Sequence, residues 1–257
     1  MNWNSTMGVI STTAIFLPIA FILLLRLGGY RTFPALLAYL IISLTTNFLS
    51  QGYITVNQDV IRYFKLCNNL TDVPLMLLFL SYFCTSAKQA QNLRKLIVGF
   101  IAFEIIIVAI KGLNKEAITI ILGPGLSIVF GICMYFFINQ TKMAISHRKA
   151  TGKAFISASL LFAYGCFGII YLLFYVFETH IVDGKINQQY LEDTYLVYFF
   201  VATLSSLLLC AGLIIESKRV QKLAELKLTR KELSEIYEGS EKAAPLRTAI
   251  ILDFERD

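Results

Sequence analysis

Seven apolar runs, at roughly residues 8–27, 33–50, 63–84, 95–112, 117–138, 154–177 and 194–215, are separated by short stretches that hold most of the charged residues. About 20 apolar residues cross a bilayer as an α-helix, and a lipid-embedded chain must satisfy its backbone polar groups internally. The runs therefore predict an all-α membrane protein, a seven-transmembrane-helix bundle. Composition agrees: 56% of residues are hydrophobic and only 16% charged, where soluble domains carry about 25% charged residues.

Lysine and arginine set the orientation. One side of the predicted membrane receives Arg26 and Arg31, then Lys88, Arg94 and Lys95, then Lys142, Arg148, Lys149 and Lys153, and finally Lys218, Arg219 and Lys222. The other receives Arg62 and Lys65, Lys111 and Lys115, and Lys185, the last in a loop that also carries Glu178, Asp183, Glu192 and Asp193. Basic residues beside spans mark the cytoplasmic side, which predicts the N-terminus outside and the C-terminus cytoplasmic. The net charge of +6 is then a topology signal and implies no nucleic-acid partner. The implied surroundings are a lipid bilayer, with the chain an integral multi-pass protein of the plasma or inner membrane.

Three segments follow. Residues 1–215 form the seven-helix transmembrane domain, 216–238 a short cytoplasmic amphipathic helix and 239–257 a flexible tail. Leu223, Leu226, Leu233 and Tyr237 are spaced for one stripe, so the helix reads either as a solvated stop-transfer segment or as a surface for a cytoplasmic partner or self-association.

Against this apolar background, a few polar residues stand out. The third run opens with Asn68, Asn69 and Asp72, three and four residues apart and hence on one helical face. A carboxyl in hydrocarbon costs about 2.5–3.5 kcal/mol on insertion scales, so an intramembrane Asp is a functional-site hypothesis by default. Asn47 and Thr46 on the second run, Tyr171 on the sixth and Tyr198 on the seventh fall at the same predicted outer depth. Together they outline a ligand-binding pocket for a small ligand or solute. The competing reading is that Asn and Thr merely tie helices together at about 0.6 kcal/mol per bond.

Glu104, near the middle of the fourth run, is either protonated or paired and is a candidate proton or coupling site. Pro74 should kink the third helix beside Asp72. Gly123, Pro124 and Gly125 should break the fifth, a device that exposes backbone groups to ions or substrates in transporters. Tyr164, Gly165, Cys166 and Gly168 read as close helix packing.

The five cysteines and two histidines fall in no metal-ligand spacing, so no metal site, cofactor or disulfide framework is predicted. The seventh run has no lysine for a retinal Schiff base. The inner ends of the third and seventh, SYFCTS and LCAGLI, lack the Asp/Glu-Arg-Tyr and Asn-Pro-x-x-Tyr signatures of G-protein-coupled receptors. Three functions remain: a sensory or signal-transducing protein with an outward pocket around Asp72, a small-solute or proton-coupled transporter using Asp72 and Glu104, and, ranked last, an intramembrane lipid enzyme using the same two carboxyls. No nucleophile elbow or histidine cluster favours an enzyme.

Overall fold

The structure is a computed structural model describing residues 3–54, 56–147, 150–172 and 188–237. The acidic loop around 178–187 and the tail after 237 lie outside the described residues. Seven α-helices follow one another: α1 (Trp3–Leu24), α2 (Phe33–Ser50), α3 (Gln58–Leu80), α4 (Ala87–Lys111), α5 (Lys115–His147), α6 (Thr151–Tyr171) and α7 (Gln188–Tyr237), with a 3₁₀ turn at Ser81–Phe83. No strand occurs among the described residues. The chain divides into two compact units, Met1–Ile215 and Glu216–Asp257.

Local chemistry explains where the helices start. Pro34 sits in the first turn of α2, where its missing N–H would have no helical partner. Asn57 caps α3 by accepting from the Asp59 amide at 3.2 Å, and Ser86 caps α4 by accepting from Gln89 at 3.2 Å. Asn114 accepts from the Ala117 amide at 2.8 Å at the start of α5, directly after Gly112 has ended α4 at φ +77.

Among the described residues, six helices are long and apolar enough to cross a membrane: α1, α2, α3, α5, α6 and the Leu196–Arg230 stretch of α7. The exception is α4. Its apolar stretch from Leu96 to Ile110 measures about 22 Å at 1.5 Å per residue, bounded by Lys95 and Lys111 and interrupted by Glu104. The predicted fourth span is therefore the weakest of the seven.

One expectation about helix geometry needs correction. The helix does not break at Gly123-Pro124-Gly125, since α5 runs continuously from Lys115 to His147. α3 is helical on both sides of Pro74. The glycines of α5 instead give neighbouring helices a close approach. A Cβ on Gly125 would lie 2.7 Å from Val73 and 3.0 Å from Phe100, so α3, α4 and α5 meet at this point. A Cβ on Gly123 would lie 2.9 Å from the Tyr171 hydroxyl of α6, which donates to the Thr119 carbonyl at 2.8 Å. The packing that these small residues permit supports a continuous helix despite the one donor Pro124 lacks.

At one end of unit 1, Phe33, Phe79, Tyr82 and Phe83 form a buried aromatic cluster, each at most 2% exposed. Phe33 meets its neighbours edge to face, with Phe33–Tyr82 centroids at 5.1 Å and Phe33–Phe79 at 5.6 Å, while Phe79 and Tyr82 stack at 6.4 Å. Thr32 donates to the Phe79 carbonyl at 3.2 Å, and the Lys153 ammonium sits 4.8 Å from the Tyr82 ring.

Candidate functional site

The cluster fixes the register of α2 against α3, and with it the depth of every polar residue above. The two helices run antiparallel. Counting equal numbers of residues away from the Phe33–Phe79 contact, about 10 Å brings α2 to Leu40 and α3 to Asp72, and about 21 Å brings α2 to Asn47 and α3 to Lys65. Asn47 and Lys65 are thus at one level, Tyr39 and Asp72 at another, deeper one.

Between these helices and α5, α6 and α7 lies a cavity of about 760 Å³, within the range of small-molecule sites. All seven predicted pocket residues line it: Thr46, Asn47, Asn68, Asn69, Asp72, Tyr171 and Tyr198. Its mouth is at the level of Ser50 and Lys65, both exposed; its floor on α2 and α3 is at Leu36 and Met76, both buried, while on α6 and α7 the lining continues to Ser159, Ser205, Ser206 and Leu209. The aromatic cluster begins one turn beneath that floor on both α2 and α3.

Asp72 has a partner. The Tyr164 hydroxyl of α6 donates to Asp72 Oδ1 at 2.5 Å, a short bond of the kind formed to a carboxylate acceptor. Tyr164 is 1% exposed, and Tyr39 of α2 stands close enough to act on Tyr164, Ser43 and Asp72. Tyr198 of α7 completes the ring around the carboxyl and stacks on Phe167 at 5.4 Å. Sequence reasoning missed Tyr39 and Tyr164 as site residues. The signal was available: each is a tyrosine in the middle of an apolar run, too deep for an interfacial anchor, so its hydroxyl needed a polar neighbour.

Several predicted polar groups turn out to be committed elsewhere. Thr46 donates to the Ile42 carbonyl at 2.8 Å and Thr203 to Phe199 at 2.8 Å, both within their own helices. Tyr171 lines the cavity with its ring while its hydroxyl serves the α5–α6 contact. Asn47 is different, since its buried Nδ2 has no hydrogen-bond partner. A buried donor left unmade costs about 1–3 kcal/mol, so this lining residue carries an amide donor that nothing in the protein satisfies.

Glu104 does not line the cavity. It is 7% exposed on α4, one turn beyond Phe100, and its Oε1 has no hydrogen-bond partner. No cluster of three or more His, Cys, Asp or Glu residues able to hold a metal occurs among the described residues. No protein-family model matches the chain, and no curated protein matches it.

Proposed function

We propose that this is a seven-span membrane sensor, N-terminus outside and C-terminus cytoplasmic, whose outward cavity around Asp72 binds a small ligand and whose seventh helix carries the response to residues 216–237. The observation that carries this reading is the cavity itself. It is polar and opens at the level of Ser50 and Lys65, and on α2 and α3 packed rings lie one turn below its last lining residues, Leu36 and Met76. A transport pathway needs polar lining at both ends of a substrate site, whereas a blind pocket suits a ligand that acts by favouring one arrangement of the bundle. Glu104, on which the transporter and lipid-enzyme readings both relied, lines no part of the pocket.

Four helices contribute the group around Asp72: α2 through Tyr39, α3 through Asp72 itself, α6 through Tyr164 and α7 through Tyr198. A ligand that competes for the carboxylate changes the tie between α3 and α6. Next to that tie, α6 is fastened to α7 by the Ser159 hydroxyl donating to the Ser205 carbonyl at 2.7 Å. Amide hydrogen exchange on the full-length protein in nanodiscs tests the coupling. Asp72→Asn should change exchange in residues 216–237 several-fold, and Glu104→Gln should leave it alone. Unchanged exchange in the Asp72 variant contradicts transduction.

A further inference from the structure

The cavity is chemically two-ended, and we infer that it takes a zwitterion whose ammonium sits on Asp72 and whose anionic group lies about 10 Å away, between Lys65 and Asn47. This rests on the proposed ligand-binding role of the same cavity and names the class of ligand.

At the deep end the carboxylate of Asp72 is held by one hydrogen bond, from Tyr164. A second oxygen remains to face an incoming donor. Tyr198 and Phe167 also line the cavity, stacked on each other, and the outer face of such a pair suits a cation. No lysine or arginine lines the deep end of the cavity. At the shallow end the signs reverse. Lys65 brings the cavity's one positive charge, and Asn47 Nδ2, at the same depth, is a buried donor without an acceptor. An anionic oxygen there would meet Lys65, and a turn of the Asn47 amide would bring its unpartnered donor to the same oxygen. Between the two ends, Asn68 and Asn69 offer amide groups that both donate and accept, matched to a polar body such as a peptide backbone.

The spacing limits the ligand. Lys65 and Asp72 lie two turns apart on one face, a rise of about 10 Å, and their side chains lean the same way along the helix. An α-amino acid, with its charges on adjacent carbons, is too short to satisfy both. Three extended residues span at most about 10–11 Å, so a tripeptide-sized zwitterion fits the separation.

Trialanine is the probe. Its binding to the full-length protein in nanodiscs is measured by calorimetry beside N-acetyl-trialanine, which lacks the ammonium, and trialanine amide, which lacks the carboxylate. Trialanine should bind at least tenfold more tightly than either blocked form. Asp72→Asn should abolish its advantage over the N-acetyl form, and Lys65→Gln its advantage over the amide. Asn at position 72 can still accept from Tyr164, as a neutral and weaker acceptor, so the helices stay joined while the tie is loosened. Absence of trialanine binding, or equal binding of all three peptides, overturns the inference. Two-ended binding without any change of exchange in residues 216–237 leaves the inference standing and contradicts the sensor. Equal binding of all three with such a change does the opposite.

Discussion

The Asp72–Tyr164 pair is the residue on which the site turns, because it joins α3 to α6 across the cavity. Neutral interhelical hydrogen bonds in membranes average about 0.6 kcal/mol. A carboxylate acceptor strengthens the bond, and removing its donor leaves a part-buried charge with less to hold it. We expect Tyr164→Phe to cost about 1–2 kcal/mol in the wild-type background and almost nothing beside Asp72→Ala, as read by thermal unfolding in detergent; a coupling under about 0.3 kcal/mol would be that of independent residues. Glu104 is the opposite case. A buried carboxyl with an unpartnered oxygen is a liability unless something binds it, so Glu104→Leu should raise the unfolding temperature. A fall would mean that Glu104 makes a structural contact the geometry does not reveal. The face carrying Asn68, Asn69 and Asp72 was legible in the sequence because helical spacing alone puts three such residues together. Tyr164 was not, since in a row with Gly165, Cys166 and Gly168 it resembles ordinary packing, and only the fold brings it to a residue 92 positions away.

At the scale of helices, glycines that look alike in sequence do different things. Gly212 of α7 lies where a Cβ would come within 2.7 Å of the Ile156 side chain and 2.9 Å of its backbone nitrogen, whereas Gly168 of α6 has nothing within 4 Å. Gly212→Ala should therefore destabilise by about 1–3 kcal/mol through overpacking. Gly168→Ala should be neutral or stabilise by up to about 1 kcal/mol through helix propensity. Equal effects on the unfolding temperature would show that α6 and α7 are not in close contact at Ile156. The Gly-Pro-Gly of α5 misled for the same reason: local propensity marks a break, but Val73, Phe100 and Tyr171 fill the space around it and the helix continues. Sequence carries the preference of a segment and omits the neighbours that override it.

For the whole of unit 1, the all-helical architecture and most of the spans followed from apolar run length alone, and α4 is where that reasoning is thinnest. Its crossing is argued from its neighbours. α3 and α5 are both long enough to span, α4 packs against each, and the links on either side are short: residues 84–86 after the 3₁₀ turn and 112–114 before α5. In the proposed seven-span topology, a helix so tethered returns across the layer that its neighbours cross. The proposed orientation then puts the cavity mouth outside and the aromatic floor toward the cytoplasm. This is tested most directly with a cysteine at Asn69, in a chain whose five native cysteines are replaced, reconstituted in sealed vesicles and exposed to a membrane-impermeant thiol reagent from each side in turn. The account predicts modification from the outer side only. Modification from the cytoplasmic side would mean that the floor opens and the pocket belongs to a transport pathway.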